Sequence, residues 1–167
     1  MDHNLSAPEI QFRKVMIAIG VLTLALAGVL AVMPYVVVNL INGIGDLLNL
    51  SQPATIQGTD QPPDRMFVAI SVSFLLLMVY ICFACGANPR KNMRLVPIYI
   101  FTHLSNAIIA FVFFRFVANY ASHLILTILD TTMALVVTAM WLRAKSAAGN
   151  ATAVSPTVSE LSKTVED

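Results

Sequence analysis

Residues 15–34 read VMIAIGVLTLALAGVLAVMP, twenty positions without one charged side chain. At 1.5 Å per residue, a helix of that length reaches across the roughly 30 Å hydrocarbon core of a bilayer. No water in that core satisfies the backbone, so the run must close its own hydrogen bonds as a helix. Three similar stretches follow. Residues 66–85 (MFVAISVSFLLLMVYICFAC) are also uncharged, residues 98–119 (IYIFTHLSNAIIAFVFFRFVAN) carry Arg115, and residues 122–142 (SHLILTILDTTMALVVTAMWL) carry Asp130. Together they predict an all-α, four-helix transmembrane bundle. Pro34, then Pro62 and Pro63, then the run 86–89 (GANP) with Pro97, mark the first breaks. Only Tyr120 and Ala121 separate the last two spans, which predicts a tight antiparallel hairpin.

Composition points the same way. Of 167 residues, 57% are hydrophobic and 11% charged, with a mean hydropathy of +0.77. A soluble domain carries about 25% charged residues, so this chain has too few to cover a globular surface. Its net charge of +1 supplies no field for nucleic acid. The partners expected are the lipid bilayer and a membrane protein or a second copy. Residues 1–14 are read as a cytoplasmic segment, not a secretory signal, because the apolar run behind them is too long. Residues 15–145 form the membrane domain. The tail 146–167, SAAGNATAVSPTVSELSKTVED, is small and polar. It holds too little apolar surface to offset the entropy of ordering and is expected to be disordered, as are residues 1–9.

Orientation follows from basic residues close to the spans. Arg13, Lys14, Arg90, Lys91, Arg94, Arg143 and Lys145 fall on one side, and Arg65 alone on the other. Both termini are therefore expected in the cytoplasm, with a bacterial inner membrane as the setting. Tyr99 and Trp141 on that side, with Tyr35 and Tyr120 opposite, suit interfacial belts. Between the first two spans, residues 37–50 (VVNLINGIGDLLNL) place apolar Val37, Leu40, Ile41, Ile44, Leu47 and Leu48 at helical spacing. Asn39, Asn42, Asp46 and Asn49 alternate with them. This predicts an additional amphipathic helix on the outer side, lying in the interface or capping the bundle, ahead of an outer loop over 51–64.

Asp130 is the most informative position, because a charge near the bilayer midplane costs about 2.5–3.5 kcal/mol. It is either a proton-titrating or ligand-binding carboxylate, with Thr127 and Thr131 beside it, or a structural one bonded to a neighbouring helix. Arg115 either snorkels to the headgroups or pairs with Asp130 across the hairpin. His103, Thr102, Ser105 and Asn106 lie deeper in the third span. Arg115 stands nine residues from Asn106, half a turn round the helix, so the two cannot both face Asp130. His103 is a proton relay or an interhelical hydrogen bond. With no second histidine at ligand spacing, no haem or metal site is expected. Cys82 and Cys85 form C-x-x-C near the end of the second span, where the helix dipole does not activate a thiol. Small packing residues are the favoured reading, with acylation or redox chemistry as the alternative. Gly20, Ala25, Ala27, Gly28 and Ala31 in the first span read as close helix packing.

The span-one exit MPYVVVNLINGIGDLL, the arginine opening span two in DRMFVAIS and the carboxylate in LTILDTTMAL resemble the DoxX-like group of small bacterial four-helix membrane proteins, over roughly residues 12–145. That resemblance implies a redox partner worth testing, since described relatives are subunits of membrane oxidoreductases handling sulfur compounds and quinone. It assigns no catalytic residue. Three readings of function result. The first is an accessory or structural subunit of a membrane complex, not itself an enzyme and without a cofactor. The second is an oxidoreductase subunit with quinone or thiol chemistry. The third is a small proton-coupled transporter using Asp130, although its uninterrupted spans lack the broken helices of many transporters.

Overall fold

The structure, a computed structural model, describes residues 5–50 and 65–163. The expected outer loop over 51–64 and the extreme termini lie outside the described residues. Every regular element described is helical: α1 (Ala7–Val32), α2 (Pro34–Leu47), α3 (Arg65–Ala87), α4 (Pro89–Asn92), a 3-10 turn (Met93–Leu95), α5 (Val96–Phe116) and α6 (Ala121–Lys163). Four of these segments are long and apolar enough to cross a membrane. The chain is an all-α, multi-pass membrane protein.

The ends of the helices have local causes. α1 begins at Ala7, not after a disordered lead, because Ser6 opens it. The Ser6 N–H and hydroxyl donate to Glu9 Oε2 at 2.7 and 2.8 Å, tying down the first turn. Pro34 ends α1, since its ring disfavours helical geometry at Met33, and starts α2, where its missing N–H costs nothing. The amphipathic helix therefore starts at 34 and not 37. It stops at Leu47 because Asn49 adopts a left-handed φ of 51°. The Asn49 N–H donates to Asp46 O and the Leu50 N–H to Gly45 O, the paired bonds of a Schellman cap. Its packed face is Val37, Val38, Ile41 and Gly45, whereas Leu40 and Leu47 are exposed, Leu47 at 84%. At the other end of the chain, the expectation of a disordered tail is corrected for residues 146–163, which continue α6. Extending a formed helix carries no nucleation cost, and alanines 147, 148, 151 and 153 favour propagation.

α1 packs along α3, α5 along α6, and α1 also meets α6; α2 lies against α1 and α6. The main core sits at the end of the bundle that carries the basic residues. Phe12 and Met16 of α1, Ile81 and Cys82 of α3, Tyr99 of α5 and Val137 of α6 pack there, all buried. Tyr99 is thus a core residue and not a member of an interfacial belt. Toward the opposite, turn end, α3 has no buried residue among those described before Met78. Large apolar side chains there, such as Leu22, Ile108 and Leu129, face outward, as lipid contact requires. In α1 only Gly20 and Ala27 of the five small residues are buried; Ala25, Gly28 and Ala31 are exposed.

The basic end is closed by an ion pair that sequence reasoning did not single out. Glu9 has no exposed surface, and Arg90, at the start of α4, grips it with Nε to Oε1 at 2.6 Å and Nη2 to Oε2 at 2.9 Å. This bidentate geometry joins the first turn of α1 to the α3–α4 connection. Asn92 Nδ2 adds a bond to Ala84 O at 2.6 Å. Removing one partner of a buried pair costs about 3–5 kcal/mol. Because the Arg90 side chain is 45% exposed, Arg90→Ala is expected to cost less than Glu9→Ala. Unfolding of the purified protein in detergent measures it. Strictly additive losses for Glu9→Ala and Arg90→Ala would mean that the pair contributes nothing.

Candidate functional site

Tyr99, His103 and Asn106 recur at i, i+4 and i+7 on α5, so they share one face. α6 runs back antiparallel to α5 and sets Asp130 against that face. His103 Nδ1 lies 2.6 Å from Asp130 Oδ1, and Asn106 Nδ2 donates to Asp130 Oδ2. Both carboxylate oxygens are therefore held by α5, and Asp130 is only 8% exposed. These two hydrogen bonds satisfy the carboxyl group and offset part of the cost of placing it in this setting.

The imidazole is used on one side only. Its Nδ1 faces Asp130, while its Nε2 is buried with no hydrogen-bond partner among the described residues. One turn toward the basic end, the Tyr99 ring lies 4.4 Å from the His103 ring, centroid to centroid, tilted by 50°. Tyr99 and Cys82 of α3 are buried in the same core cluster. The polar column Asp130, His103, Tyr99 thus stands on the packed core, which closes it toward the basic end. Chemically, an Asp–His pair of this kind holds one proton between two groups and leaves a second imidazole nitrogen available.

The remaining candidates are distributed elsewhere. Arg115 does not pair with Asp130. α5 unwinds at Val117, where the N–H groups of Val117 and Ala118 both return to Phe113 O. Arg115 is then one residue from the end of α5, and Asp130 is nine residues into α6. Their depths differ by about 12 Å at the helical rise, and the face of α5 opposite Arg115 already holds Asp130. Thr131, 100° round the helix from Asp130, lines a groove together with Thr127. Thr102 and Thr127 donate to backbone carbonyls one turn back, Ile98 O and His123 O, both at 2.8 Å. Cys82 and Cys85 are unpaired and fully buried; Cys85 donates to Asn92 O at 3.4 Å. Cys82 packs against Gly20, where an added Cβ would stand 3.0 Å from the Cys82 Cβ. Both thiols are buried at the α1–α3 seam and its connection at the basic end.

Sequence reasoning missed Tyr99 as a neighbour of this site, and the signal was present in its i, i+4, i+7 spacing with His103 and Asn106. Among the described residues, no three His, Cys, Asp or Glu side chains are grouped to hold a metal. Compared with known protein families, curated proteins and solved structures, the chain matches none.

Proposed function

We propose that this multi-pass membrane protein works by proton exchange at the Asp130–His103 pair, as a small proton-coupled carrier. The observation that carries this reading is the one-sided use of His103, with Nδ1 on the carboxylate and Nε2 buried and unpartnered. A clasp with only a structural role gains nothing from that orphaned nitrogen, which costs about 1–3 kcal/mol. A net charge near the midplane is costly, so the pair is held neutral, with one proton between Asp130 and His103 Nδ1 and a second on Nε2. Gain or loss of that proton must then be coupled to the arrival or departure of a compensating group. The seven basic residues flanking the spans at one end support an orientation with both termini in the cytoplasm of a bacterium, in its inner membrane. A place among the DoxX-like proteins belongs to the same proposal and rests on the three motifs quoted above.

The test needs no knowledge of the cargo. In reconstituted protein, infrared difference spectra across pH should show a carboxylic-acid band that disappears in Asp130→Asn and shifts in His103→Gln. Identical spectra in wild type and Asp130→Asn would remove the proposal. A second reading, an accessory subunit in a membrane complex, is favoured by α2, whose Val36, Leu40 and Leu47 form an exposed apolar stripe beside the bundle. In that case the same site stabilises the α5–α6 hairpin, and the carboxyl band keeps one protonation state at every pH.

A further inference from the structure

A groove of about 230 Å³ runs between α5 and α6, lined by Leu104, Ala107, Ile108 and Phe111 on one side and by Thr127 and Thr131 on the other. Ala107 is buried at its base, and Ile108 and Phe111 stand exposed along its rim. The apolar stripe 104, 108, 111 recurs at i, i+4 and i+7, and the next position on it, i+11, is Arg115. Arg115 therefore marks the turn end of the groove, at the level where headgroups begin. Its guanidinium has no carboxylate or hydrogen-bond partner among the described residues and lies 6.0 Å from the centre of the Phe116 ring. An apolar channel with one uncompensated cation at its headgroup end is complementary to an amphiphile with an anionic head and a hydrocarbon chain.

We propose that this groove binds an anionic phospholipid of the leaflet at the turn end. One acyl chain lies between α5 and α6, and the headgroup phosphate sits on Arg115. The site is separate from Asp130, which faces the other side of the same seam, and it does not depend on the proton reading. It gives Arg115 a role that neither snorkelling alone nor an ion pair with Asp130 supplies.

The test is native mass spectrometry of the full chain released from nanodiscs of phosphatidylglycerol and phosphatidylcholine. Wild type should retain one phosphatidylglycerol in preference to phosphatidylcholine. Arg115→Ala should retain it about fivefold less, the effect of one cation near an anionic lipid surface. Ile108→Trp, which fills the groove from an exposed position, should lose it as well, while Arg143→Ala at the basic end should retain it fully. All variants are first required to elute as single folded species. Wild-type retention in Arg115→Ala or in Ile108→Trp would overturn the proposal. So would a lipid-free dimer that Ile108→Trp dissociates, since the groove would then be a protein interface.

Discussion

Gly20→Leu is expected to prevent α1 and α3 from closing against each other, costing about 3 kcal/mol or more. Even a single added carbon at Gly20 would stand 3.0 Å from the Cys82 Cβ and 3.2 Å from Phe83 Cε1. The Cβ of Cys82 moves only with its backbone, so the helices must separate to admit three further carbons. The loss falls on the core layer, because Ile19 and Cys82 are both buried there. Two comparisons make the prediction specific. Gly86→Ala meets Ile17 Cγ1 at 2.6 Å, and a β-branched side chain in a helix is stiff at χ1, so about 1–3 kcal/mol is expected. Gly28→Leu meets nothing within 4 Å and should leave stability unchanged or improve it, since glycine is a poor helix former. Detergent-titrated unfolding of the three variants gives the ranking. Equal losses at Gly20 and Gly28 would show that the α1–α3 seam does not pass through Gly20.

Asp130→Ala is expected to be the most damaging polar substitution in the α5–α6 hairpin, because it strands two partners at once. Asn106 Nδ2 loses its acceptor and His103 Nδ1 loses its hydrogen-bond partner. Intramembrane hydrogen bonds average about 0.6 kcal/mol and reach about 1.7, and the substitution removes two of them. The expected loss is therefore about 1–3 kcal/mol. Asp130→Asn keeps a carbonyl oxygen for Asn106 and should lose less than half as much, while abolishing the pH-dependent carboxyl signal. The pair of variants thus separates stability from function. Should both unfold to the same extent, the anchoring of Asp130 by Asn106 would be wrong. A double-mutant cycle between Asp130 and His103 isolates their coupling, and a value near zero would break the central contact of the site.

The two halves of the bundle are packed unequally. The basic half is closed by Tyr99, by the core beneath it and by the Glu9–Arg90 pair. The Asp130 cluster stands on top of that closed half, where the helices begin to present their large side chains to lipid. The proton exchange proposed for Asp130 and His103 needs one side sealed and the other able to open, and the unequal packing of the two halves is compatible with that.

The number of spans and the helical class were legible without any structure, for one reason. A bilayer forces every apolar run of sufficient length into a helix, so local composition alone decides the element. The break at Pro34 is as local, and so is the second helix that it starts. Spacing also decided that Arg115 and Asn106 cannot serve the same carboxylate. What spacing left open was which of them does, because that depends on where α5 unwinds, and a two-residue change in the turn moves Arg115 a large part of a helical turn in depth. The buried Glu9–Arg90 pair lies 81 residues apart in sequence, and no local pattern encodes it. Tyr99 carried a readable stripe with His103 and Asn106, yet its burial depends on α3 bringing Cys82 to meet it. In a membrane every span is apolar all round, so the side facing protein cannot be told from the side facing lipid by hydropathy. That choice is made by helix packing, and only the tertiary structure records it.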